Sequence, residues 1–241
     1  MASTARAGRT TGLLLLAQLA TGLVVPYVLL RPLTGAPAGF LEIAAGMGGV
    51  LRLNVLVLFV GGALSVAIAI GAWHAIHARS HAFALWVVTL AVANFTLQIV
   101  ENTHWLSMLS VSEAYAQAPS ADVVPLRSVA VAVRAAWKWA HYSHILVVVA
   151  WLFTLHAALW RCALVPRGLA IGGMIAAVLQ VIGITLPVFV GYRMPFPEIF
   201  GLPLGLMILT VALWLIARGF LGGDEPQSVL GATSGSTSDA R

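Results

Sequence analysis

Apolar residues recur along the chain in six runs, over about 12–30, 53–73, 82–106, 139–160, 168–191 and 202–220, separated by polar or proline-bearing stretches. A helix crossing the hydrocarbon core needs roughly 20 mostly apolar residues, which each run approaches. The pattern predicts an all-α fold, an integral membrane bundle of six transmembrane helices occupying residues 1–221. The remaining residues, 222–241, are rich in Gly, Ser, Thr and Asp and are predicted to form a disordered cytoplasmic tail. The first run follows Arg6 and Arg9 and precedes Ala36-Pro37-Ala38, as a secretory leader would. It exceeds the roughly 7–15 apolar residues of a leader and is predicted to be a retained helix.

Six spans leave both ends on one side. With the N-terminus inside, Arg6, Arg9, Arg79, Arg161, Arg167, Arg218 and Arg241 are cytoplasmic, against Arg31, Arg52, Arg127, Arg134, Lys138 and Arg193 outside. Five of the eight acids, Glu42, Glu101, Glu113, Asp122 and Glu198, fall outside in the same arrangement. The balance favours N-in/C-in. The inner turns around Arg79 and Arg167 are short, whereas Ser107 to Lys138 reads as a long outer loop, polar and proline-broken. Beyond Pro125, the residues Arg127, Arg134, Lys138 and His141 share one face of a helix running into the fourth span, the pattern of a stripe in solvent or lipid headgroups. Pro187 is expected to kink the fifth span, and Gly172, Gly173 and Gly201 to admit close backbones. Between the fifth and sixth spans, GYRMPFPEIFGLP reads as a rigid turn with an exposed Arg193–Glu198 pair. No internal repeat supports an inverted-repeat transporter.

Composition agrees with lipid as the partner. The chain is 60% hydrophobic and 9% charged, against roughly a quarter charged in soluble domains. The net charge of +5 is scattered singly at the ends of apolar runs, so no nucleic-acid partner is expected. A single cysteine, Cys162, excludes an intrachain disulfide, a thiolate zinc site and an iron–sulfur cluster built from one chain. Whether a second copy or another membrane protein joins the bundle is left open.

Polar side chains inside the spans carry the candidate chemistry, because ionisable groups in hydrocarbon usually face the bundle interior. Asn94, Gln98 and Glu101 lie on one face of the third span, and His104 extends that face outward. His141 and His144 open the fourth span on the same outer side, so Glu101, His104, His141 and His144 are expected to converge. The ordinary alternative is that Asn94 and Gln98 join helices by hydrogen bonds while Glu101 and His104 sit at the interface. A second group, His74, His77 and His81, shares a face at the inner end, and His156 lies fifteen residues below His141 near that side. The middle of the fourth span, LVVVAWL, is apolar. Paired imidazoles for haem b or a transition metal would come from His104 with His141 or His144, or from His156 with His74 or His77. There is no HExxH, and no second carboxylate lies in the spans beside Glu101, so no cofactor is predicted, with metal on His104, His141 and His144 as the alternative.

The segments AGRTTGLLLLAQLATGLVVPYVL, VLRLNVL, ENTHWLSMLSVSEAY, LFTLHAALWRCALVPRGL and VALWLIARGF resemble the bacterial domain-of-unknown-function family 4386 over nearly all of the chain except the tail. The resemblance implies a multi-helix inner-membrane protein without an established activity or ligand. By position it draws attention to Arg52, Glu101, His156, Pro166 and Arg167. The chain departs from the family pattern in offering only Asn54 where an acidic residue follows the arginine of the second span, and in His144. Three functions therefore stay open: a non-catalytic structural, sensory or accessory membrane subunit, foremost; a small-solute or proton transporter using Asn94, Gln98 and Glu101; and a haem- or metal-binding oxidoreductase using His104, His141 and His144.

Overall fold

The computed structural model describes residues 2–34, 40–119, 122–190 and 200–222, which are helical with no strand among them. Helix α1 (Ala2–Val24) runs into a π-helical turn (Val25–Leu29), followed by the short helices α2 (Arg31–Thr34) and α3 (Phe40–Gly46). Then come α4 (Gly48–His77), α5 (His81–Gln117), α6 (Val123–Arg161), α7 (Arg167–Thr185) with a second π-helical turn (Leu186–Val190), and α8 (Leu202–Arg218). The Ala36-Pro37-Ala38 segment, the Arg193–Glu198 pair and residues 223–241 lie outside the described residues.

The long helices close a ring in chain order. Helix α4 packs on α1 and α5, α5 on α6, α6 on α7, α7 on α8, and α8 returns to α1. Short turns make this arrangement natural, since a helix leaving a turn of a few residues must lie antiparallel to its predecessor. Five stretches are long and apolar enough to cross a membrane: Thr4–Leu29, Gly48–His77, His81–Gln117, Val123–Arg161 and Arg167–Phe189. The apolar α8 has 17 residues, fewer than the other five. The predicted all-helical fold therefore stands among the described residues, with five helices long and apolar enough to cross a membrane and one shorter apolar helix.

The expected outer loop is where sequence and structure part. Helix α5 does not stop near residue 106 but continues to Gln117, and α6 begins at Val123. At 1.5 Å per residue these helices of 37 and 39 residues are roughly 55 and 58 Å long, nearly twice the hydrocarbon thickness. Falling hydropathy marks where lipid ends, not where a helix ends. The polar residues of this stretch find partners without leaving the helix: Ser110 and Ser112 donate to the carbonyls of Leu106 and Met108, and Glu113 pairs with Arg52 of α4. His141, expected where this helix enters the fourth span, sits near the middle of α6. Helix α3, also unforeseen, lies on α5 and helps to close a second apolar cluster that includes Val25, Leu33, Ala44, Leu51, Trp105 and Met108.

Pro187 interrupts α7 as expected, through a π-helical turn, and Pro26 does the same after α1. Proline lacks the N–H and crowds the carbonyl four residues back, and a wider turn relieves both problems. The end of the bundle that carries Arg79 is tied by contacts to the backbone. Arg79 donates to the carbonyls of Cys162 (2.7 Å) and Leu221 (3.2 Å), and Leu221 N–H donates to Leu164 O (2.9 Å). Gly219 has φ +72, and a Cβ there would lie 2.7 Å from Ala5 O, so only glycine lets the end of α8 meet α1.

Candidate functional site: a carboxylate held by two imidazoles

Asn94 and Glu101 are seven residues apart on α5, two turns, and therefore face α6 together. His141 and His144, three apart, face them from α6. The Nδ1 of His141 lies 2.9 Å from Glu101 Oε1, and the Nδ1 of His144 lies 2.8 Å from Glu101 Oε2. The other ring nitrogen of His144, Nε2, is 3.0 Å from Asn94 Oδ1. Both carboxylate oxygens are thus held by imidazoles of the neighbouring helix. Burial is graded across the cluster: the Glu101 side chain is 5% exposed, His144 10% and His141 43%. Such compensation is what permits a carboxylate inside an apolar bundle. Trp137 stacks on the His141 ring (centroids 5.3 Å, 18°) and meets Trp105 edge to face at 5.0 Å.

Chemically, the cluster joins a carboxylate, two imidazoles and an amide in one chain of hydrogen bonds. Asn94 presents either a carbonyl oxygen or an amino group to Nε2, depending on how its amide is turned, so it can partner a protonated or a bare His144 nitrogen. Neither state leaves a buried ring nitrogen without a partner.

The predicted polar face divides in two. Asn94 and Glu101 serve α6, whereas Gln98 donates to Asn102 Oδ1 (3.2 Å) and Asn102 donates to Val55 O of α4 (3.2 Å). Asn102 escaped notice in the sequence although it follows Gln98 by four residues, the spacing that stacks side chains on one face. Beside Val55, Asn54 is fully buried with both amide atoms unpartnered. His104 does not join the cluster and makes no hydrogen bond or ion pair with a described residue. The expected convergence is corrected to Glu101, His141 and His144, with Asn94 as the fourth member. Among the described residues no group of three or more His, Cys, Asp or Glu side chains is arranged to hold a metal ion. In the cluster, the Nδ1 atoms of both imidazoles are directed at carboxylate oxygens instead.

The inner histidines also separate. The Nδ1 of His156 donates to Leu152 O (2.8 Å), its Nε2 is buried without a partner, and its ring fills the space that a Cβ at Gly173 would occupy. His77 instead meets His81, Nδ1 to Nδ1 at 3.0 Å, and stacks on Trp73 (5.1 Å, 15°), while the exposed His74 makes no side-chain hydrogen bond. The predicted pairing of His156 with His74 or His77 is therefore not formed.

The basic stripe of α6 is exposed as expected at Arg127, Arg134 and Lys138, and each of these also meets an aromatic ring. Arg127 donates to Tyr115 Oη (2.9 Å), which donates to Glu42 Oε1 (3.0 Å); Arg134 lies over Phe40 (5.4 Å) and Lys138 over Trp139 (5.3 Å). A hydrogen bond from the main chain of Glu42 itself and then the Tyr115 hydroxyl hold the Glu42 carboxyl below its ordinary range. Of the residues marked by resemblance, Arg52 pairs with Glu113 at 2.8 Å, both side chains well exposed, and Pro166 and Arg167 open α7.

No curated protein and no solved structure matches the chain. Residues 10–219, from within α1 to the end of α8, match the family described as domain of unknown function (DUF4386), and the chain belongs to that family.

Proposed function

We propose that this is a six-span bacterial inner-membrane protein with both ends in the cytoplasm, working as a non-catalytic sensory or accessory subunit. Its sensing element is the cluster of Glu101, His141, His144 and Asn94. The sixth span is supported by the ring, in which apolar α8 fills the place between α7 and α1. The orientation is supported by the arginine balance, and it puts the 222–241 tail in the cytoplasm.

One observation carries the functional proposal: both oxygens of a buried carboxylate are held by imidazoles, one of them 43% exposed. Imidazole changes charge between about pH 5 and pH 8. A proton arriving at His141 alters a bond to Glu101, and Glu101 shares that change with His144 and Asn94. The cluster lies between the two helices that project beyond the bilayer, so a change in their contact is transmitted to the outer hairpin. The test uses Trp137, stacked on His141. Emission of the protein in lipid nanodiscs, titrated from about pH 8 to about pH 5, should change with an amplitude largely lost in Trp137→Phe and in Glu101→Gln. A change indifferent to Glu101→Gln would exclude the cluster as the sensor.

Asn54 favours a second reading, a small-solute or proton transporter using Asn94, Gln98 and Glu101, because its buried, unpartnered amide adjoins the Gln98–Asn102–Val55 chain. Uptake into proteoliposomes that disappears in Glu101→Gln would establish that reading. An oxidoreductase built on His104, His141 and His144 would show a visible absorbance band in the purified protein.

A further inference from the structure

The geometry points to a binding site for a divalent late transition ion at the opposite end of the bundle, formed by His77 and His81. His77 closes α4 and His81 opens α5, and the turn between them brings the two Nδ1 atoms to 3.0 Å. Both rings converge through the same nitrogen, and both residues are exposed, so an ion has access.

Imidazole binds such ions at about 2.0–2.1 Å. Two nitrogens 3.0 Å apart then subtend about 91–97° at the metal, near the angle between adjacent ligands in octahedral or square-planar coordination. A tetrahedral ion would need the nitrogens opened to about 3.3–3.4 Å. The spacing therefore suits Ni2+ or Cu2+ better than Zn2+, with water in the remaining positions. Stacking on Trp73 fixes the His77 ring, and the nearby Arg79 guanidinium is directed at the Cys162 and Leu221 carbonyls. Without metal, one Nδ1–H donates to the other ring's lone pair. On binding, that ring carries its proton on Nε2 instead, so two neutral imidazoles supply both ligands without net proton release.

The experiment is calorimetric titration of NiCl2 into the full chain in nanodiscs, purified without a polyhistidine tag, with ZnCl2 in parallel. One Ni2+ per chain is expected, bound more tightly than Zn2+. His77→Ala and His81→Ala should each weaken binding by at least the roughly 10–100-fold that loss of even an outer-sphere partner brings, and His74→Ala should leave it unchanged. The conservative His81→Asn guards against misfolding and should weaken binding alike. No heat with millimolar Ni2+, or binding that survives His77→Ala, would overturn the site. Equal affinity for Zn2+ would overturn the geometric preference, and loss in His74→Ala would overturn the two-ligand assignment.

Discussion

His144 and His156 lie on one helix, twelve residues apart, and are both buried, yet they have been given opposite tasks. The ring of His144 uses both nitrogens on side chains of α5, a carboxylate and an amide. The ring of His156 turns one nitrogen onto its own helix at Leu152 and packs the rest into a notch at Gly173 of α7. The first is a connection that depends on charge and protons; the second is a shape fit with one local hydrogen bond. What distinguishes them is the residue that the neighbouring helix offers, Glu101 in one case and glycine in the other. An imidazole in a membrane helix is thus no guide to function until its partner is known.

The comparison breaks most visibly at Glu101. Glu101→Ala leaves His144 buried without its acceptor and should lower stability by about 3–5 kcal/mol, read by denaturant titration in detergent, with Glu101→Gln losing less because an acceptor oxygen remains. If Glu101→Ala proves milder than any change at Gly173, the outer cluster is not the stronger connection. Gly173→Ala forces a Cβ into the His156 ring, and the expected loss is about 1–3 kcal/mol, without the pH dependence that Glu101 variants should show. Asn94→Ala removes one interhelical hydrogen bond, for about 0.6–1.7 kcal/mol, and a value near zero would detach Asn94 from the cluster.

Two contacts on the extended hairpin serve as exposed controls. Arg52→Ala should lose no more than about 1 kcal/mol, and less still at high salt, because the Glu113 pair is exposed to solvent. Glu42 is smaller in effect and pH-dependent. Its folded carboxyl titrates below the ordinary range, so its contribution is present above the unfolded value and disappears as pH falls through the folded one. Melting curves of Glu42→Gln and the unaltered protein should therefore differ slightly at neutral pH and converge in acid.

The long apolar runs and the absence of soluble composition were enough to establish a helical membrane bundle and to place most turns, including Arg79 and Pro166. They were enough to put Asn94 and Glu101 on one face, because 3.6 residues per turn is a property of one helix alone. The run of α6 from beyond Pro125 into the fourth span was legible from the spacing of Arg127, Arg134, Lys138 and His141, whereas the continuation of α5 to Gln117 was not, since it is flanked by Arg52 and Glu42 from distant parts of the chain rather than marked by hydropathy. The choice of His141 and His144 over His104 was likewise settled by the rotation of α6 against α5, which no local pattern records. The amino-acid sequence by itself determined that the chain forms long apolar helices and which side chains share a face of each, through the cost of exposing backbone and apolar surface to the wrong solvent. Only the tertiary structure decided which of them meet, because hydrogen bonds act over about 3 Å and the faces brought within that distance depend on all the helices packing at once.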